Sequence, residues 1–390
     1  MPNNKFDFLL KPNVLLIVYT LIAVIASIQA IMIGTHIKDG HVFTDYNNYV
    51  IFKYSFSHLI QNKNLYTYYL DEQADLYKYS PTFAMFMGLF TKLPDMVGLS
   101  IWNCINAVSL FFSIRLLSLS ERQKSLLLWF MLLELLTSMQ NAQSNGLMAA
   151  LMIAAFACME QKKIFLAALW IALATFIKIY GCFAFLLFLF YPGRLKQIVY
   201  PAVIFLVLAI LPLIFVSPAN LLWQYQNWKI LLAADKATSY GLSVMGWLHS
   251  WFGLNSGKDL ISWIGLALLL LPLVRIKMYS SYMFRMLFLA SVLIWVIIFN
   301  YKAESPTFII AVAGVGLRHF VLGKSVFNNL IMLFVFLFTC MSPTDLFPAV
   351  VRNSFFVPYA IKAIPCIFVW FVTTYELLTL KPGGQLIDVK

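Results

Sequence analysis

Apolar runs of about twenty residues return along the whole chain, and between them lysine and arginine occur in ones and twos. Wound as a helix, such a run crosses the roughly 30 Å hydrocarbon layer of a bilayer while satisfying every backbone N–H and C=O internally. The chain is therefore read as an all-α polytopic membrane protein. Composition agrees, with 62% hydrophobic residues, a mean hydropathy of +0.82 and only 11% charged residues, where a soluble chain carries about a quarter. No stretch between the runs is long enough for a soluble domain, so residues 1–390 read as a single membrane-embedded unit. The first run, Val14 to Gly34, exceeds a signal-peptide core of about 7–15 residues and reads as an uncleaved helix.

The net charge of +12 is a topology signal rather than a nucleic-acid signal, because no basic block occurs anywhere. The clusters Lys5/Lys11, Arg115/Arg122/Lys124, Lys162/Lys163, Arg194/Lys196, Arg275/Lys277/Arg285, Arg318/Lys324 and Lys381/Lys390 belong on the cytoplasmic side by the positive-inside rule. After Arg115, each interval between clusters holds an apolar hairpin: 125–139 with 145–159, 164–178 with 179–192, 197–216 with 259–274, 286–299 with 305–317, and 325–341 with 356–378. Before it come full spans at 15–34 and 96–114. Eleven residues rise only about 16 Å, so the apolar piece at 81–91 reads as re-entrant or interfacial. The expectation is about twelve transmembrane helices in the inner membrane. Both termini are then cytoplasmic, and a long first exoplasmic loop, 35–95, carries interfacial or re-entrant helices. On that division 16 Lys and Arg accompany 5 acids inside, and 12 accompany 10 outside.

The polar segments that break the pattern then share the outer face, where a functional site is expected. Apolar and aromatic residues at 46, 49, 50, 54, 56 and 60 have near-helical spacing, as in an amphipathic helix lying on the membrane. Asp45, at its start, is either an N-cap or a general base. Lys178 interrupts an apolar hairpin at its outer end, where it either snorkels to headgroups or binds a lipid-linked phosphate as a point charge. Gln140, Asn141, Gln143 and Asn145 gather four carboxamides at a helix–helix turn, and these suit sugar hydroxyls as well as helix ends. Lys302, beside Glu304 and Pro306, is a second candidate phosphate contact. Trp223, Tyr225, Trp228, Tyr240, Trp247 and Trp251 are interfacial anchors or stacking surfaces for sugar rings. Cys104, Cys158, Cys182, Cys340 and Cys366 share no metal-ligand spacing and read as small core hydrophobes, and His36 and His41 make a weak metal pair. No phosphate-binding loop, dinucleotide fingerprint, HExxH, GxSxG or DxD is present, so no cofactor is implied and a divalent metal finds no support.

Asp45-Tyr46 after the first helix, Asn64-Leu65-Tyr66, Tyr79-Ser80-Pro81, Gln143-Ser144-Asn145 opening a helix and Lys178-Ile179-Tyr180 closing one form an ordered set. From about Tyr19 to Leu322 the chain resembles glycosyltransferase family 87, GT-C-class membrane enzymes typified by polyprenyl-phosphate-mannose-dependent mannosyltransferases. The resemblance implies a GT-C-like fold, a polyprenyl-phosphate sugar donor and a lipid-linked or glycan acceptor on the exoplasmic face. It also implies inverting transfer, most simply of mannose, with Asp45 as base. Lys178 falls on the family's helix-end lysine, and with Lys302 it is assigned to the donor phosphate. Tyr46, Tyr79, Gln143, Asn145, Tyr180 and Glu304 are assigned to substrate binding. The chain departs from the pattern at Ala142, where Gly is usual, at Gly181, where Pro is common, and at Tyr301, where many relatives have His. The competing classes are a transporter or lipid flippase, which would show inverted repeats that are not seen here, and an oligosaccharide polymerase or ligase.

Overall fold

The computed structural model describes residues 7–38, 40–235 and 239–381. Lys5, Lys390 and the two chain ends lie outside the described residues. Every run expected to span is helical, but lengths differ. Among the described residues five helices are long and apolar enough to cross a membrane: Pro12–Ile33, Asp95–Arg115, Arg194–Ile214, Ser305–Leu322 and Ile361–Thr379. Others, such as Asn145–Glu160, Ile164–Ile177 and Tyr282–Ile298, are shorter apolar helices. The 179–192 run forms a 3-10 helix, Ile179–Phe190, in which about 2.0 Å of rise per residue stretches a short segment further than an α-helix does. The piece at 81–91 is one short helix, Pro81–Phe86, ending in a 3-10 turn, Met87–Phe90.

Two compact units divide the chain. The first comprises residues 1–116, 136–182 and 193–238. It contains α1 (Pro12–Ile33), α2 (Asn47–Ile60), α3 (Pro81–Phe86), α4 (Asp95–Arg115), the end of α5 (Glu121–Gln140), α6 (Asn145–Glu160), α7 (Ile164–Ile177), α8 (Arg194–Ile210) and α9 (Pro218–Asp235). Helix α1 packs on α4, α4 on α6, α6 on α7 and α7 on α8. The face that α1 buries, Leu15, Tyr19, Ala23, Ala26, Ser27 and Ala30, becomes small toward its C-terminal end. Small residues let two backbones approach where no hydrophobic driving force separates protein from lipid. On the same helix Ile17, Leu21, Ile25 and Met32 are exposed, an arrangement suited to hydrocarbon and not to water.

The second unit comprises residues 117–135, 183–192 and 239–390. Its helices are the start of α5, α10 (Val244–Phe252), α11 (Lys258–Leu270), α12 (Tyr282–Ile298), α13 (Phe308–Leu322), α14 (Val326–Val335), the single turn α15 (Ala349–Val351) and α16 (Ile364–Thr379). Helices α12 and α13 pack together, and α16 packs on both. Among the described residues two ion pairs are buried here. Arg318 Nε donates to Glu376 Oε2 at 2.7 Å while Nη2 holds Oε1 and, at 3.2 Å, Asn328 Oδ1. Lys362 Nζ donates to Glu134 Oε1 at 2.7 Å. Removing either member of such a pair leaves an uncompensated buried charge, at a cost of about 3–5 kcal/mol.

Candidate active site

Helix α1 ends at Gly34, and an antiparallel hairpin, β1 (Thr35–Lys38) with β2 (His41–Thr44), pairs Thr35 with Thr44. Gly40, at φ +82°, supplies the left-handed turn between the strands. The hairpin brings the chain back to where it left α1, and Asp45 N donates to Gly34 O at 3.2 Å. Nothing in the sequence period announced this ribbon. Its aromatic side chains gather locally, with the rings of His36 and His41 against Phe43.

The ribbon also corrects the role expected of Asp45 as a helix cap. Helix α2 begins two residues later, its N-cap is Tyr46, and no side chain caps it. The Asp45 carboxylate is left exposed and lines a cleft of about 180 Å³ with Ala26, Gln29, Ala30, Ile33, Gln140 and Asn141. Among the described residues it has no hydrogen-bond or ion-pair partner. Asp95, the other acid nearby, is occupied: Lys53 Nζ donates to Oδ1 at 2.7 Å and Tyr46 Oη to Oδ2 at 3.1 Å. Burial and then the Asp95 charge push the Tyr46 phenol up to about 12. Tyr46 is thus engaged with Asp95, while the Asp45 carboxylate faces the cleft.

Lys178 lies on the other side of the same α5–α6 turn. The turn is closed by Ala142 N on Met139 O at 2.9 Å and Gln143 N on Ser138 O at 3.0 Å, with Ala142 at φ +50°. In that left-handed conformation the Ala142 Cβ is strained and a glycine would not be, which fits the glycine that the resemblance leads one to expect at this position. Trp102 Nε1 donates to Ala142 O at 3.0 Å and Asn48 Nδ2 to Asn141 O at 2.9 Å, so α4 and α2 both fix the turn. Beyond it, Lys178 caps α7 in an extended conformation. Its ammonium donates to Asn145 Oδ1 at 2.6 Å and Gln143 Oε1 at 3.3 Å, and stands 5.8 Å from the centre of the Tyr79 ring. Asn145, Gln143 and Tyr79 are buried, so they orient the ammonium rather than let it snorkel. Gly181 follows because the chain turns back on α7: a Cβ there would lie 2.6 Å from the Ala174 backbone carbon. Its N–H also donates to Lys178 O at 2.8 Å, a bond that proline lacks. Tyr180 is half-buried, and among the described residues its buried hydroxyl has no hydrogen-bond partner.

The first unit therefore brings Asp45, Gln143, Asn145, Lys178 and Tyr79 to one turn, with Tyr46 and Tyr180 on the flanking elements. Lys302 and Glu304 belong to the second unit, in the turn between α12 and α13. There Lys302 N donates to Asn300 Oδ1 at 2.9 Å, and the exposed Glu304 offers its carbonyl to Thr307 Oγ1 at 2.7 Å. Three contributors escaped the sequence reading: Gln29, Asn48 and the Lys53–Asp95 pair. Gln29 had a signal, being a carboxamide within an apolar span.

A model of glycosyltransferase family 87 matches residues 77–322, more than half of the chain. The chain belongs to glycosyltransferase family 87. No curated protein matches it. The matched stretch of this glycosyltransferase contains Tyr79, Gln143, Asn145, Lys178, Tyr180, Lys302 and Glu304, and it starts after Asp45 and Tyr46. The role of Asp45 therefore stands on the geometry of its cleft and on the resemblance of the first loop.

Proposed function

We infer that this glycosyltransferase moves a sugar, mannose in the simplest reading, from a polyprenyl-phosphate donor to a lipid-linked or glycan acceptor. In this reading the chain is GT-C-like with cytoplasmic termini, and transfer occurs at the exoplasmic face of the inner membrane. The observation that supports it best is the pairing, on one helix–helix turn, of an ammonium held by two carboxamides with an exposed carboxylate. A phosphate leaving group gains negative charge as its bond to the anomeric carbon breaks, so a fixed cation stabilises the transition state more than the ground state. Lys178 supplies that cation. The acceptor oxygen attacks the anomeric carbon from the face opposite the phosphate, inverting the configuration. Its proton passes to an Asp45 carboxylate oxygen. Tyr46, Tyr79, Gln143, Asn145 and Tyr180 complete the substrate site, the carboxamides by holding Lys178. The testing experiment combines purified protein, polyprenyl-phosphate mannose and a membrane glycolipid fraction, with transfer read by mass spectrometry. A product heavier by one hexose is expected, and unconsumed donor with every acceptor fraction would exclude this donor class.

A further inference from the structure

Helix α4 is long and apolar enough to cross a membrane, yet its middle carries Trp102, Asn103 and Asn106 on one face. All three are buried, and a carboxamide at such depth is costly unless it has work. Their work is on the α5–α6 turn, which they hold at three points. Asn103 Nδ2 donates to Met139 O at 3.2 Å, at the end of α5. Trp102 Nε1 donates to Ala142 O in the turn itself, and Asn106 Oδ1 accepts from Leu147 N at 2.9 Å, in the first turn of α6. Both helix ends leave backbone groups without an intrahelical partner, and α4 supplies partners from outside. Ser144, the N-cap residue of α6, does not: its side chain makes no capping bond and, among the described residues, its buried hydroxyl has no hydrogen-bond partner. The cap comes from Asn106 instead. Asn106 is itself fixed, since its Nδ2 donates to Trp102 O at 3.0 Å, and Asn103 Nδ2 also donates to Ser27 Oγ on α1 at 2.9 Å.

We propose that Trp102, Asn103 and Asn106 are positioning residues for sugar transfer: they fix the turn so that Gln143 and Asn145 aim the Lys178 ammonium at the donor phosphate. This inference rests on the reading of Lys178 as the phosphate contact and names what sets its direction. The three bonds fall between Met139 and Leu147, the segment that contains both carboxamides holding Lys178. Asn145, whose Oδ1 accepts from the ammonium at 2.6 Å, lies between the Ala142 carbonyl held by Trp102 and the Leu147 amide held by Asn106. A turn pinned on both sides of that residue does not follow the lysine; the lysine follows the turn. The pins also resist the strain of Ala142 at φ +50°, which would otherwise favour a relaxed turn. An ammonium on a four-carbon stem is a mobile point charge. Holding it in place before the donor arrives lets it act on the transition state without reorganising.

Trp102→Phe keeps an aromatic ring but removes the indole donor, and Asn106→Leu keeps the volume but removes the cap. The full-length protein is assayed in phosphatidylcholine vesicles, with polyprenyl-phosphate mannose as donor and a membrane glycolipid fraction as acceptor. Each variant is expected to lower transfer by about 10²-fold, the scale on which a misplacement of about 1 Å by a distant substitution acts. KM for the donor should rise while KM for the acceptor holds. The same substitutions in a Lys178→Gln background decide whether the effect passes through the lysine. There each is expected to cost no more than about twofold further, because a residue that aims the ammonium has nothing left to aim. A loss of the same size in both backgrounds overturns the proposal, as does wild-type transfer by both single variants. Ser113→Ala removes a buried hydroxyl bond further along α4 and is expected to transfer at the wild-type rate; a loss there equal to that of Asn106→Leu assigns the effect to general weakening of the helix and also overturns it. If circular dichroism shows that Asn106→Leu does not fold, the Trp102→Phe cycle decides alone. Lys178→Gln by itself separates the two claims, since wild-type donor binding in that variant removes the reading on which the inference rests, whatever the α4 variants do.

Discussion

At the scale of single residues, the site depends on which polar groups are already engaged. Asp95 and Asp45 are both acids of the first loop, yet the first is held by Lys53 and Tyr46 while the second faces a cleft. The sequence distinguished Asp45 by its place beside the first helix and not by its environment. Its reading as a cap failed because a ribbon of two four-residue strands, Thr35–Lys38 and His41–Thr44, shifts the helix start to Asn47. Lys178 was legible for a sound reason, since a lysine inside an apolar hairpin is costly unless it has work or a partner. Its partners were not legible, because Gln143 and Asn145 lie 35 and 33 positions earlier. Lys178→Gln keeps reach and hydrogen bonding but removes the charge. Transfer is expected to fall by about 10²–10³, the range seen when one transition-state donor is lost, with weaker retention of donor. Unaltered donor binding in a direct assay would return Lys178 to a structural role.

At the scale of elements, hydropathy located the helices because the bilayer leaves no other means of satisfying the backbone, and each expected run is helical. It did not give their lengths or kinds. The 3-10 helix Ile179–Phe190 follows from the extended Lys178 and the close return at Gly181, where backbone meets backbone within reach of a Cβ. Such contacts leave no trace in a hydropathy pattern. Gly181→Ala is therefore expected to displace the turn that aims Lys178. KM for the donor should rise several-fold while far-ultraviolet circular dichroism keeps its helical content, and a variant with wild-type kinetics would show that the turn accommodates the methyl. The Glu134–Lys362 pair illustrates the same limit: Glu134 was visible as an acid within a span, but its partner lies 228 positions away.

At the scale of the whole molecule, composition and the distribution of basic residues were enough to read a polytopic membrane protein, and the family match to residues 77–322 makes it a glycosyltransferase. The orientation expected from charge asymmetry has a direct check. Gln61→Cys, at the end of α2, and Ser118→Cys, between α4 and α5, are both exposed positions. In intact cells an impermeant thiol reagent should mark the first above the background of the unsubstituted protein and leave the second unmarked. Labelling of position 118 alone would reverse the topology and move the cleft to the cytoplasm. The claim on which the function turns is that the Asp45 carboxylate accepts the acceptor's proton, and the rate of transfer by Asp45→Asn tests it most directly. Because no side chain caps α2, the amide costs the fold nothing that the carboxylate supplied. Thermal stability should hold within a degree or two of wild type while transfer falls by about 10²–10⁴. A well-folded Asp45→Asn protein that transfers sugar at the wild-type rate would contradict it.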